Sequence, residues 1–261
     1  MDFLLYAISG AFVGLIVGLT GIGGGSLMTP LLLLFGIPPH IAVGTDLLYA
    51  AITKASGVIS HQKRKTINWS ITTTMALGSI PSAIITGVIL NHFFVDYQEY
   101  TGVITTSLGV MLVVTASLLI FRKRIQIFAN RQADLSGTSW LQNNKTALTF
   151  FMGMILGCLV TLSSVGAGAI GTAILLVLYP KLKSMNIVGT DLAHAVPLTL
   201  IGGLVHLSLG NVDYSLLAAL LVGSIPAIHV GTKLGTKIPE NILRQALAAL
   251  LLLLGAKYIF F

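Results

Sequence analysis

Three ionisable side chains fall inside strongly apolar stretches of this sequence: Asp46, Lys54 and Asp191. A charge in hydrocarbon costs about 3 kcal/mol or more, which marks each as a functional candidate. Asp46 and Asp191 occupy the same place in a repeated pentapeptide, Val-Gly-Thr-Asp-Leu, at 43–47 and 188–192. Lys54 has no such counterpart, because Thr199 stands at the equivalent position. Asp46 and Lys54 are separated by roughly 12 Å along a helix, too far for a pair one turn apart. Lys54 is therefore expected to meet Asp191 or a bound anion. The chemistry these groups suit is anion binding. Lys54 would supply the cation, Thr20, Ser26, Ser163 and Ser164 the hydroxyls, and Gly23, Gly24, Gly25, Gly166 and Gly168 the backbone N–H groups. With both aspartates ionised the set carries net −1 and repels an anion. Protonating one of them removes that repulsion, so Asp46 and Asp191 are the expected proton-coupling groups. A structural alternative stands beside each role. The aspartates lie a few residues after helix starts, where a carboxylate can accept backbone N–H bonds, and Lys54 can snorkel to the near interface.

The backbone donors come from residues 21–30, GIGGGSLMTP, and from a related stretch around 163–172. Four glycines in five residues cannot hold a stable helix, since glycine loses the most backbone entropy on ordering. The flanking sequence is too apolar for a solvent loop, so a broken or re-entrant helix is expected. Such a break survives in a membrane where it is buried in protein or lines a cavity. Ser26 would open the short helix that follows, turning its first N–H groups and positive dipole end inward. Close helix packing at small residues is the competing explanation.

Other chemistry is poorly represented. His61 and His206 are equivalent across the repeat and His194 follows Asp191 by three residues, yet no Cys/His spacing suggests a metal site. These histidines read as packing or interfacial residues. Cys158 is the single cysteine and reads as a small packing residue. No nucleophile elbow, HExxH or P-loop signature occurs, and GIGGGS lacks the lysine of a phosphate loop. An enzyme is not expected, and nothing in the sequence requires a cofactor.

The composition settles the class. Of 261 residues, 55% are hydrophobic and 9% charged, against about 25% charged in soluble domains. Mean hydropathy is +0.92. The +7 net charge comes from basic residues between apolar runs, so it reads as topology rather than nucleic-acid binding. The partners expected are the lipid bilayer and a small anion. Asp2 precedes the first apolar run without a basic region, so that run is expected to be retained.

Ten apolar elements are expected, at 3–19, 26–35, 41–60, 70–90, 101–121, 146–162, 169–179, 187–207, 215–232 and 241–261. The second and seventh are about half a membrane thickness long. The interval 122–145, with Arg122, Lys123, Arg124, Arg131 and Lys145, reads as a basic linker between repeats 1–121 and 146–261. Besides the pentapeptide, Ala50, Gly57 and His61 match Ala195, Gly202 and His206, and Gly78-Ser79-Ile80-Pro81 matches Gly223-Ser224-Ile225-Pro226, all 145 residues apart. Gly23 and Gly25 match Gly166 and Gly168 at 143; Gly14 and Gly18 align with Gly153 and Gly157 at 139.

Orientation follows from charge. Three spans plus a glycine-broken helix pair per repeat place Lys63, Arg64, Lys65, Arg122, Lys123, Arg124, Arg131, Lys145, Lys181, Lys183, Lys233 and Lys237 on one side, with Arg244 nearby. The opposite loops, 38–40, 91–100 and 210–214, carry no Lys or Arg. The repeats are thus expected to be inverted, with both termini outside and the basic loops cytoplasmic. The expected fold is an all-α polytopic membrane protein of two inverted-topology repeats. Such architecture recurs in secondary transporters, with the site near midplane between repeats. Small residues on several faces of the last two spans are compatible with a homodimer.

With those residues in view, the chain resembles the TauE/SafE sulfite exporters, also called TSUP. The resemblance rests on Gly21-Ile22-Gly23-Gly24-Gly25-Ser26-Leu27, Pro30, Gly36, Pro38, Gly44-Thr45-Asp46-Leu47, Gly57 and His61 in the first half. In the second it rests on Gly189-Thr190-Asp191-Leu192 and Gly223-Ser224-Ile225-Pro226. Many members carry Gly-Thr-Ser-Leu where this chain has Asp46 and Asp191. The resemblance implies an inner-membrane permease for small sulfur-containing anions such as sulfite, sulfonates or thiosulfate. A passive anion channel on the same scaffold, and a membrane anchor for a sulfur-metabolising complex, are the alternatives.

Overall fold

The computed structural model describes residues 2–20, 27–93, 97–135, 143–234 and 240–260. All regular structure among them is α-helix: α1 (Asp2–Thr20), α2 (Met28–Leu34), α3 (Pro39–Lys63), α4 (Trp69–Phe93), α5 (Tyr97–Leu135), α6 (Lys145–Ser163), α7 (Ala169–Leu178), α8 (Ser184–Ser208), α9 (Tyr214–Leu234) and α10 (Glu240–Phe260). Every expected apolar element is found as one of these helices. Among the described residues, five stretches are long and apolar enough to cross a bilayer: Trp69–Phe93, Glu99–Phe128, Lys145–Ser163, Ser184–Ser208 and Tyr214–Gly231. α3 matches α4 in length, but His40, Thr45, Asp46 and Lys54 dilute its apolar character. All four are buried, so α3 is a central element whose polar groups face protein rather than lipid. Leu77, Phe93, Val222 and Leu253 are exposed, forming part of the surface that a bilayer covers.

One boundary differs substantially from expectation. The interval 122–145 is not all linker, because α5 continues through Leu135. Residues 122–135 contain no glycine or proline and are rich in Arg, Lys, Gln, Ala and Ile, so the helix has no reason to stop at the first charges. The first glycine after the span, Gly137, lies outside the described residues. Likewise α2 is described from Met28, and the expected opening residue Ser26 lies outside.

Packing pairs helices across the two halves of the chain. α1 lies along α9, α6 along α4, and α3 crosses α8 at the centre, while α5 packs on α10. Small residues make this possible. A Cβ on Gly223 would fall on the Ala7 carbonyl, and one on Gly14 would lie 2.6 Å from the Ser224 oxygen. At the other pair, a Cβ on Gly78 would fall on the Phe150 carbonyl and one on Gly157 would lie 2.8 Å from Ser79 Cα. Gly78 and Gly223 are the repeat mates of the sequence, and these contacts pair Gly14 with Gly157 and Gly10 with Gly153. The register of the first helix is therefore 143, one helical turn away from the 139 read by aligning Gly14 with Gly153. A glycine every four residues makes those two registers hard to tell apart in sequence alone.

Polar contacts repeat the exchange. The Asp213 N–H donates to Thr45 Oγ1 at 3.1 Å, and the Asn68 N–H donates to Thr190 Oγ1 at 3.0 Å. Asn68 and Asp213 also receive the Ile71 and Leu216 N–H groups on their side chains, which caps α4 and α9. The turn after α3 uses Lys65 at φ 55° where the turn after α8 uses Gly210 at φ 75°. The consequence for the site is that α3 and α8, carrying the two aspartates, are held face to face by both halves.

Candidate functional site

Asp46 is fully buried near the start of α3. Its Oδ2 accepts the Thr29 N–H at 3.2 Å, the Thr29 hydroxyl in a short bond, and the Ser164 hydroxyl at 3.0 Å. Thr29 lies in the first turn of α2, and Ser164 is the left-handed residue (φ 57°) where α6 ends. One carboxylate thus ties the short helix of the first half to the break of the second. The capping alternative is realised in part, although on a neighbouring helix rather than its own.

Asp191 repeats the pattern on α8. Its Oδ2 accepts the Thr172 hydroxyl of α7 at 3.0 Å. A Cβ on Gly171 would fall on Asp191 Oδ1, so glycine is what lets α7 approach the carboxylate. Thr29 and Thr172 are 143 apart, the same offset as the glycine motifs, a sequence signal that identifies both hydroxyls. Oδ1 of each aspartate has no hydrogen-bond partner among the described residues.

Lys54 lies two turns beyond Asp46 on α3 and is only 4% exposed. The charges acting on it are Asp191 first and Asp46 second. Its side chain is therefore buried inside the bundle, within electrostatic reach of both carboxylates. The two opposite charges offset part of its lost hydration.

Lys54, Asp191, Thr172 and Gly168 line a common cavity of about 40 Å³. Since one water needs about 10–15 Å³ on such a measure, this admits a few waters or one small anion. Arg122 of α5 is the fourth polar side chain on the wall, and its charge reaches Asp191. Sequence reasoning missed it. A run of three basic residues after an apolar span reads as a topology signal, and only the continuation of α5 turns one of them inward.

The remaining candidates divide. The Ser163 hydroxyl donates to the Leu159 carbonyl at 2.7 Å and accepts the Val165 N–H at 3.2 Å, so it stabilises the α6 break. Gly166, at φ 103°, lies in left-handed territory, and a Cβ there would meet Met111 at 2.8 Å and Ile170 at 2.9 Å. Neither residue lines the Lys54 cavity. The Ile170 and Thr172 N–H groups already donate to Gly166 and Gly168 carbonyls at 3.0 and 3.2 Å. The start of α7 consequently offers fewer open donors than a fresh helix end. Gly23, Gly24, Gly25 and Ser26 lie outside the described residues, as does the side chain of Thr20 at the end of α1.

The histidines are engaged. His194 Nε2 pairs with Ser79 Oγ at 2.8 Å. His206 Nε2 donates to the Thr161 carbonyl at 2.8 Å, which leaves Nδ1 to accept from the Asn211 amide at 3.2 Å. His61 Nδ1 and Thr66 Oγ1 are 2.7 Å apart. Among the described residues no group of three or more His, Cys, Asp or Glu side chains could hold a metal ion.

Comparison with known proteins agrees with this architecture. The family model described as "Sulfite exporter TauE/SafE" matches residues 6–258. The chain is 42% identical over 253 residues to a Bacillus subtilis (strain 168) protein described as probable membrane transporter protein YjnA, covering 96% of this chain and 97% of that one. It is 31% identical over 244 residues to a second from the same organism, probable membrane transporter protein YdhB, covering 90% and 91%. A probable membrane transporter protein of Methanocaldococcus jannaschii is 29% identical over 269 residues, covering 96% and 93%. No solved structure matches the chain.

Proposed function

This chain belongs to the sulfite exporter TauE/SafE family of multi-pass membrane transporters, and from that premise we propose that it is a secondary carrier for a small anion. The substrate is a sulfur oxyanion or organosulfonate, such as sulfite. The observation that carries the reading is Lys54: a buried cation on the wall of a cavity, set against two repeat-related aspartates. A cavity beside a lysine and a carboxylate suits an anion that enters when the carboxylate is neutralised. Asp191, which lines the cavity, is the coupling group, and Asp46, held by three donors, is the fixed partner across the centre.

The test is flux of radiolabelled sulfite into proteoliposomes, with and without an imposed proton gradient. Wild type is expected to show saturable uptake that a favourable gradient accelerates several-fold. Asp191→Asn is expected to keep saturation and lose the gradient response, because the site then carries a permanent neutral in place of a titrating group. Flux that never saturates would make the protein a channel. Saturable flux indifferent to the gradient would remove the coupling role.

The same reading includes two inverted repeats in the cytoplasmic (inner) membrane of a prokaryote, with both termini outside. Its support is the exchange of α1–α9 for α6–α4 contacts and of Thr45–Asp213 for Thr190–Asn68, together with the one-sided distribution of Lys and Arg. In a Cys158→Ser background, His92→Cys is expected to react with an impermeant maleimide added outside cells, and Lys181→Cys only after permeabilisation. The opposite pattern would reverse the orientation.

A further inference from the structure

We propose that Ser164 is the latch of an outer gate, its hydroxyl on Asp46 holding the two repeats together at the end of the bundle away from the cavity. The inference rests on the carrier reading above and assigns that carrier a gating residue. Asp46 and Asp191 are each the eighth residue of their helix, yet they lie toward opposite ends of the bundle. Thr45, beside Asp46, accepts the Asp213 N–H just before α9. Thr190, beside Asp191, accepts the Asn68 N–H just past the basic turn at 63–65. The cavity belongs to the Asp191 end, where Val188, Arg122 and Ile125 line it, and Asp46, Thr29 and Ser164 do not. At the Asp46 end, the Thr29 N–H and hydroxyl from α2 and the Ser164 hydroxyl at the end of α6, at 3.0 Å, all meet Oδ2. Only the Ser164 bond joins one repeat to the other. In the orientation proposed above, this buried knot separates the cavity from the outside, and the cavity faces the cytoplasm.

The backbone at the α6 break does not call for a hydroxyl. Ser164 sits at φ 57°, in a region that glycine enters more readily than any other residue. Its N–H donates to the Val160 carbonyl at 2.7 Å, a closure that uses main chain alone. At the offset of 143 its counterpart is Gly21. A serine kept where glycine is less strained points to a use for its side chain. Ser163 spends its own hydroxyl inside the break, so Ser164 is the member of the pair that reaches across. A single hydroxyl–carboxylate bond is strong enough to bias a two-state equilibrium and weak enough to be broken in each cycle. Its release frees the end of α6 from α2 and α3 while Thr29 and Asp46 stay joined within the first repeat.

The experiment reads access to a reporter, Ala173→Cys in the Cys158→Ser background, in right-side-out and inverted membrane vesicles. Ala173 lines the cavity and is half-buried. An impermeant methanethiosulfonate is expected to modify it at least about tenfold faster from the cytoplasmic face, as one charge-assisted bond on the closed side implies. Ser164→Gly suits the left-handed turn and removes only the hydroxyl. It is expected to raise the rate from the outer face about tenfold, with Tm in detergent close to that of the parent. Asp46→Asn weakens the acceptor and is expected to raise the same rate, and the double variant no further. Ser163→Ala is the control and is expected to leave it unchanged. An unaltered outer rate in Ser164→Gly overturns the proposal. So does an equal rise from both faces, which marks a loosened bundle, or the same rise in Ser163→Ala. Labelling needs no transported anion, so a protein without saturable sulfite flux removes the carrier reading while this readout still decides the gate. A reversed orientation exchanges the fast and slow faces and leaves the effect of Ser164→Gly on the slow one.

Discussion

Lys54→Met is expected to lower saturable anion flux at least about 100-fold while leaving a folded protein. The methionine fills nearly the same volume, so packing is preserved and only the charge is lost. Removing one partner of a buried charge set costs about 3–5 kcal/mol, and about 3 kcal/mol is already more than 100-fold in an equilibrium or a rate. The variant leaves Asp191 and Asp46 without the cation that acts on both, so thermal stability should fall as well. Two effects of one substitution are separated by a second variant. Lys54→Met/Asp191→Asn removes one uncompensated carboxylate and is expected to recover stability, measured as Tm in detergent, without recovering flux. Recovery of both would make Lys54 a structural counter-charge and not the anion's partner. Unchanged flux in the single variant would remove Lys54 from the site altogether.

The second large effect concerns assembly of the two halves. Gly223→Val is expected to destabilise the protein by about 3 kcal/mol, the upper part of the usual range for overpacking. The added Cβ would fall on the Ala7 carbonyl and within 2.8 Å of the Ala11 nitrogen. Both are helix backbone and cannot move aside as a flexible side chain would. For a chain of this length the loss corresponds to a fall in Tm of roughly 6–12 °C. Gly78→Val is expected to behave alike, since its Cβ would meet the Phe150 carbonyl and lie 2.9 Å from the Met154 nitrogen on α6. Gly102→Ala is the contrast. A Cβ there meets nothing within 4 Å, and replacing glycine inside a helix is worth about 1 kcal/mol in favour of alanine. Equal Tm values for Gly223→Val and Gly102→Ala would contradict the close α1–α9 contact.

Much of this architecture is legible in the sequence. Apolar runs long enough to be helices in lipid, broken by glycine or by charge, place all ten helices because hydrocarbon allows the backbone few alternatives. The duplication was legible from identities at a constant spacing of 145, and it located Asp46 and Asp191 as equivalent groups. Where the repeat signal is made of glycines four residues apart, as in α1 and α6, the sequence supports two registers. Contact with α9 and α4 then selects 143.

The sequence by itself determined the class, the helix set, the repeat and the three buried charges, because each depends on local hydropathy or on internal identity. The tertiary structure decided which groups meet. Thr29 and Ser164, 135 residues apart, converge on one carboxylate. Ser163 and Gly166 look like binding residues in the motif, yet one spends its hydroxyl on the α6 break and the other gives room to Met111. Arg122 reads as a loop charge, whereas α5 continues past it and the residue shares a cavity wall with Lys54. Composition sets where charge can be afforded along the chain, but electrostatic partnership depends on distance in space, and only helix packing sets that distance.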